Sequence, residues 1–459
     1  MADGILDEAL ERLRDTGPER NGWLSNHAPM AAEALARRGH AAQVHRWLDG
    51  YDHLLEERPR GISPIPRDQW RDPLGDPVRT GDWLAFFERE LTAAPWREVL
   101  AVWWPRLLPG IAAGATHGVI RVGHAVRALL DVETPPRVME LAHGLAYWAA
   151  RWQPLALPAA GPYRASDPRA ALDAVPRVPD QRFGIRHRLA QLAALDSWPA
   201  VPDSWPVVPG SSPAVPGSSP AVPGSSRAVP GSSPAVPGSS PAVPGSSPAN
   251  PGSWPAAASH VPAAPGSWRA EPGAREREAD KTILKIAAAT ATSPTPVGGR
   301  ESSTAGGHFG GVVHRAAAGG VIHRQGAYEA VAVLDRLGGI VDAAVARQFT
   351  HGYGAPVMLV HAATAPAAVL RVLPALPARL WGPSLDAAWA AAAAVSAAYS
   401  PAEPRPVESV DGDPMEAAAA TSDPHAIKFA DAALDSLART GDAGIRGRTV
   451  AAVTLIAAD

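Results

Sequence analysis

Thr116-His117-Gly118-Val119-Ile120-Arg121-Val122-Gly123-His124 is the stretch on which the reading of this 459-residue chain turns. A helix advances about 100° per residue, so His117, Arg121 and His124 fall in one narrow stripe on a face where apolar residues are otherwise expected. The spacing therefore predicts a long helix from about Ile111 to Leu130 that carries a polar stripe. Far downstream the Thr-His-Gly triplet recurs in Thr350-His351-Gly-Tyr-Gly-Ala-Pro356-Val-Met-Leu-Val-His361.

Working outward, the same 3.6-residue periodicity governs the N-terminal third. Ile5, Leu6, Ala9, Leu10 and Leu13 make an acidic amphipathic helix rather than a signal peptide. Asn26-His27-Ala28-Pro29 reads as a helix start with proline in the first turn, and Val44, Trp47, Leu48, Tyr51, Leu54 and Leu55 form an apolar face. Another helix starts at Asp82 with an aromatic face of Trp83, Phe86 and Phe87; Pro95 opens the next, which Pro105 and Pro109 are expected to end. Helical periodicity returns from about Tyr328 to Phe349, then in Pro366 to Leu373, Leu385 to Tyr399 and Pro424 to Arg439, with Val450 to Ile456 ambiguous between helix and strand. The expected fold class is all-α.

Between these halves the composition changes. Of the chain's 49 prolines, 18 fall within residues 198–270, a degenerate Ala-Val-Pro-Gly-Ser-Ser-Pro repeat that has too little apolar mass to offset ordering entropy. The expected organisation is residues 1–197 as the first part of a helical domain and 198–270 as a disordered Pro/Gly/Ser-rich insertion. Residues 271–326 form a poorly ordered Gly/Ser/Thr-rich segment with a short helix at Lys281 to Thr290, and 327–459 complete the domain.

Composition narrows the function classes. A formal charge of −3 with no Lys/Arg block gives no footprint for nucleic acid. The most apolar long stretch, Leu385 to Tyr399, is alanine-dominated and carries Asp386, short of the ~20 apolar residues of a membrane span. A soluble, cytoplasmic protein with neither nucleic-acid nor membrane partners is expected; protein partners are not legible. The absence of cysteine excludes disulfides, thiolate metal sites and cysteine nucleophiles, and leaves histidine and carboxylate chemistry open.

No metal is expected from the spacings. His117 and His124 sit seven residues apart, about 10.5 Å along a helix axis, nearly two turns where chelating pairs need one. Glu140-Leu-Ala-His143 has the spacing of a di-iron carboxylate motif but stands without a second copy, so a surface pair is the favoured reading. Phosphate cradles, dinucleotide fingerprints and serine nucleophile elbows are missing. His117 and His124 as acid/base groups need no such closeness, since imidazole titrates near ~6.5, and Arg121 could hold a resulting anion. The alternative for each is a hydrogen-bonded core residue. Repeated glycine at 110, 114, 118 and 123 points to close helix packing or room for a ligand. Asn26-His27 reads equally as a helix cap or a site element, whereas Asp423-Pro-His425-Ala-Ile-Lys428 reads as a cap followed by an exposed i,i+3 pair.

In combination and order, Asn26-His27-Ala-Pro29-Met30, His117-Gly-Val-Ile-Arg121-Val-Gly-His124, Thr350-His351-Gly-Tyr-Gly-Ala-Pro356-Val-Met-Leu-Val-His361 and Asp423-Pro-His425-Ala-Ile-Lys428 resemble the questin oxidase family. The resemblance spans roughly Ile5 to Trp152 and Ala344 to Ala438; the Pro/Gly/Ser middle departs from it. It implies Baeyer-Villiger-type oxygenation or ring cleavage of an anthraquinone or related phenolic polyketide, with molecular oxygen and NADPH. It marks His27, His117, Arg121, His124, His351 and His361 as pocket residues. The reading assigns catalysis to His117, Arg121, His124 and His351, and substrate binding to Asn26, His27 and His361. The competing reading is a non-catalytic helical protein that binds a small molecule or acts as a scaffold.

Overall fold

The computed structural model describes residues 2–22, 24–158, 165, 167–199 and 313–459, with backbone alone for 2–3 and 313–330. The repeat from residue 200 onward and the expected helix at Lys281 to Thr290 lie outside the described residues.

The fold is all-α. The first part of the chain runs through α1 (Ala2–Leu13), α2 (Ala28–Arg37), α3 (Val44–Tyr51), α4 (Thr80–Ala93), α5 (Trp96–Leu107), α6 (His117–Asp131), α7 (Pro135–Arg151), α8 (Pro168–Asp173) and α9 (Ile185–Ala190). The second supplies α10 (Val313–His351), α11 (Pro356–Val372), α12 (Trp381–Tyr399), α13 (Pro414–Thr421), α14 (Pro424–Thr440) and α15 (Gly444–Ala457). The described strands are a two-residue pair, β1 (Glu19–Arg20) and β2 (Leu24–Ser25), antiparallel with Glu19 opposite Ser25. The ambiguous Val450 to Ile456 lies inside α15, where Val450, Val453 and Ile456 face the core at helical spacing.

Three boundaries differ from the periodicity, each for a local reason. Helix α6 starts at His117 rather than near Ile111, because Gly114, Ala115 and Thr116 all take positive φ (56°, 55° and 65°) and break the right-handed ladder. Pro105 sits inside α5, and the chain passes into a 3₁₀ turn only at Leu108. The backbone of α10 is helical from Val313, ahead of the expected start, and Gly319-Gly320 does not end it.

The core joins the two parts of the chain. Around α4 and α5, Trp70, Trp83, Phe86, Phe87 and Trp103 pack ring to ring with centroids 4.8–5.7 Å apart, mostly edge to face. Trp104 Nε1 donates to Ser384 Oγ (2.9 Å), tying α5 to α12. Glycines permit the closest approaches: a Cβ on Gly118 would lie 2.6 Å from Trp148 of α7, and one on Gly123 would lie 2.5 Å from Ala368 of α11. The glycines of α6 thus serve helix packing. Pro356–Ala375 has the length and mean hydropathy (1.5) of a membrane span, more so than the alanine-rich Leu385 to Tyr399, and 78% of it is buried inside the protein.

Candidate metal centre

Four helices bring a histidine to one point. Helices α2, α6, α11 and α14 pack as a closed ring, each touching the next. His27 is the N-cap residue of α2, His117 the first residue of α6, and His425 the second residue of α14, while His361 lies in the second turn of α11. Proline near the start of α2, α11 and α14 presets their first turns. Asp423 caps α14 by accepting from the amides of His425 (2.6 Å) and Ala426 (3.2 Å).

The imidazoles of His27, His117 and His361 meet through their Nε2 atoms. His27 Nε2 is 2.7 Å from His117 Nε2, and His361 Nε2 is 3.0 Å from the same atom. His425 completes the cluster, with its ring centroid 4.6 Å from His27 and 5.4 Å from His361. All four are buried. Lys428, one turn beyond His425, is fully buried, and its Nζ has no hydrogen-bond partner among the described residues.

Hydrogen bonds decide where the protons sit. His117 Nδ1 donates to the carbonyl of Gly114 (2.7 Å) and His361 Nδ1 to that of Met358 (3.0 Å). A carbonyl only accepts, so each neutral ring carries its proton on Nδ1 and presents a bare lone pair at Nε2. The left-handed Gly114-Ala115-Thr116 turn is what brings the Gly114 carbonyl beneath His117; a Cβ on Gly114 would meet Tyr147 Oη at 2.7 Å. His27 can lend one proton to His117, but none remains for the facing nitrogen of His361. Nor does a second proton on either ring resolve this. Burial first, then the charge of nearby Lys428, push the pKa values of His27, His117 and His361 well below the imidazole range, and the same causes bring His425 down to about 4. Burial also lowers the Lys428 ammonium to about 7.

Two lone pairs at 3.0 Å repel unless a cation lies between them. The residues fit a transition metal: buried neutral imidazoles sharing a focus, with Nδ1 of His117 and His361 held by backbone carbonyls and that of His425 3.4 Å from the Asp423 carboxylate, suit zinc, iron, copper or nickel. His27, His117 and His425 have ligand nitrogens within 4.8 Å of one another, and His361 adjoins that set through His117 Nε2 at 3.0 Å. His117 and His124 are nearly two turns apart on α6 and do not share an ion; the fold instead brings His117 to histidines from three other helices.

The stripe His117, Arg121 and His124 is divided among three tasks. Arg121 forms a buried bidentate ion pair with Glu140 (2.6 and 2.8 Å). His124 Nδ1 donates to Glu33 (2.6 Å), and its Nε2 accepts from Arg371 (3.2 Å). Asn26 fixes the turn before His27, donating to the Gly17 carbonyl (3.0 Å) and accepting from the Ala28 amide (3.0 Å). His351 is outside the cluster, at the end of α10, with Nδ1 2.7 Å from Thr350 Oγ1. Of the expected site residues the fold therefore gathers His27, His117 and His361. Two further expectations are corrected. Glu140 and His143 are buried rather than a surface pair, because α7 is covered on both sides, and His143 faces Glu88 (3.3 Å). Asp423 does cap its helix, but His425 and Lys428 point into the ring and belong to the centre. Their signal was present: Asp-Pro-His at a helix start parallels Asn-His-Ala-Pro.

Residues 24–169 match the family model described as questin oxidase-like. Over that stretch the chain is similar to the questin oxidase-like family. The matched segment holds His27 and His117, while His361 and His425 lie beyond it. What the match supports is a function of the oxidoreductase type. No curated protein and no solved structure matches the chain.

Proposed function

We propose that the four-histidine centre holds a redox-active metal ion and that the protein oxygenates a phenolic aromatic compound, an anthraquinone or related polyketide, by Baeyer-Villiger-type insertion or ring cleavage. The observation that carries the metal is the facing pair of bare Nε2 atoms of His117 and His361 at 3.0 Å. The match of residues 24–169 to the questin oxidase-like model supports the oxidoreductase class. Phenolic substrate, dioxygen and NADPH follow the resemblance.

His27, His117, His361 and His425 would hold the ion. When bound, it supplies the one-electron chemistry that lets triplet dioxygen react with a singlet organic molecule. The chain's own residues do the rest. Lys428, with a pKa near 7, is available as a neutral amine to take a phenolic proton at neutral pH. The N-terminal ends of four helices point their partial positive charge at the same place and favour the phenolate that remains. Burial of all four imidazoles would exclude bulk water from the bound ion.

Oxygen uptake tests this reading. The purified protein, reconstituted with ferrous ion, is given a panel of hydroxyanthraquinones with and without NADPH, beside His361→Ala. Uptake that requires substrate and is lost in the variant supports an oxygenase. A metal-loaded protein that binds the panel without uptake turns the reading toward a non-catalytic binding protein.

A further inference from the structure

The four helices that supply the histidines also meet a second time, in a buried ion network. On α2 and α14 the carboxylate lies six residues after the histidine: His27 to Glu33 and His425 to Asp431. On α6 and α11 an arginine lies ten residues after it: His117 to Arg127 and His361 to Arg371. Six residues of helix rise about 9 Å and ten rise about 15 Å. An arginine leans toward its helix N-terminus and reaches back by about the difference, so all four charges share one layer.

The contacts close that layer across the ring. Arg127 binds Glu33 through Nε (2.8 Å) and Nη2 (2.5 Å), and Asp431 through Nη2 (2.8 Å). Arg371 Nη2 donates to Asp431 (2.6 Å) and Asp435 (2.9 Å). Arg38, at the end of α2, donates to Asp431 through Nε (2.8 Å) and also pairs with Asp435. His124 bridges Glu33 and Arg371 as a neutral ring. Asp431 is fully buried, and the side chains of Glu33, Arg127 and Arg371 are 5–8% exposed. Glu33, His124 and Asp431 have ligand atoms close enough for an ion of their own, but guanidinium groups already take those lone pairs.

We infer that this layer is the positioning device of the histidine centre: it sets the axial register of α2, α6, α11 and α14, and Glu33, Arg127, Arg371 and Asp431 are positioning residues for metal binding. A buried ion network stabilises little over apolar packing, and its best-attested use is to specify register. Here a slip of one helix by one residue, about 1.5 Å, would break a charge contact and pull its histidine out of the focus. The inference rests on the metal reading above.

The test is cobalt(II) binding by the full-length protein, followed by its visible absorption and by thermal unfolding. Wild type is compared with His361→Ala, Asp431→Asn, Arg371→Gln and Asp342→Asn. Arg371→Gln is the milder network variant, since Arg38 and Arg127 still pair Asp431, and it decides the case if Asp431→Asn does not fold. Asp342→Asn removes the exposed α10–α14 pair with Arg439 (2.5 Å) and reports plain loss of an ion pair. The expected result is cobalt affinity about 10- to 100-fold weaker in the network variants, with an altered cobalt spectrum at saturation, and no change in Asp342→Asn. Folded network variants with wild-type affinity and spectrum would overturn the inference while leaving the metal reading intact. A wild-type protein that binds no cobalt would overturn both.

Discussion

His117 Nε2 and His361 Nε2 face each other at 3.0 Å, and both rings have committed their Nδ1 protons to backbone carbonyls. A packed core has no use for that arrangement: rotating either ring, or moving its proton, would restore an ordinary hydrogen bond. The backbone instead holds both rings in the tautomer a metal requires. At Gly114-Ala115-Thr116 it accepts left-handed strain of about 1–2 kcal/mol per non-glycine residue to do so.

Acid should loosen the fold through Glu33. Burial alone would raise this carboxyl, but Arg127 and His124 outweigh it and hold it at about 2. A depressed carboxyl contributes stability that is present above its unfolded value, near ~4.3, and is lost as pH falls toward the folded one. Glu33 therefore contributes on the order of 3 kcal/mol at neutral pH, declining between about pH 5 and pH 2. Urea midpoints across that range should fall steeply in wild type. In Glu33→Gln they should start lower and fall less; equal slopes would remove Glu33 from the acid response.

The close approach of α6 to α11 predicts an asymmetry between two glycines. Gly123→Ala would press its Cβ to 2.5 Å from Ala368 Cβ and should cost about 1–3 kcal/mol, as overpacked cores do. Gly50→Ala in α3, where a Cβ meets nothing within 4 Å, should instead stabilise by about 0.5–1 kcal/mol. Thermal melts of the two variants check both signs. An unaffected Gly123→Ala would mean that the two helices can part freely.

Lys428 sets function against stability. Its buried, unpartnered amine is costly to the fold, so Lys428→Met should raise the urea midpoint of the metal-free protein by the equivalent of about 1–3 kcal/mol. The same variant should lose substrate-dependent oxygen uptake. A destabilised variant would show that Lys428 is a structural residue rather than part of the site.

Much of the fold was legible because it rests on local pattern. Val44, Trp47, Leu48 and Tyr51 recur at helical spacing, and all four are buried in α3. The start of α6 differs from the periodicity because Ala115 and Thr116 take positive φ, although neither residue carries a turn signal of its own. The site was half legible for a related reason. Periodicity places His117, Arg121 and His124 on one face, but only packing decides that the first meets three histidines, the second meets Glu140, and the third meets Glu33. Lys428 looked like an exposed neighbour of His425, and no spacing rule shows that α2 and α11 cover it.

Metal analysis of the purified full-length protein, beside His361→Ala, tests the central claim most directly. After incubation with excess ferrous, zinc or cobalt ion and desalting, wild type should retain one ion per chain and unfold at a higher temperature than its chelator-treated form. His361→Ala should retain none and show no such rise. A folded wild-type protein that keeps no metal, and whose unfolding temperature no ion shifts, would contradict the account.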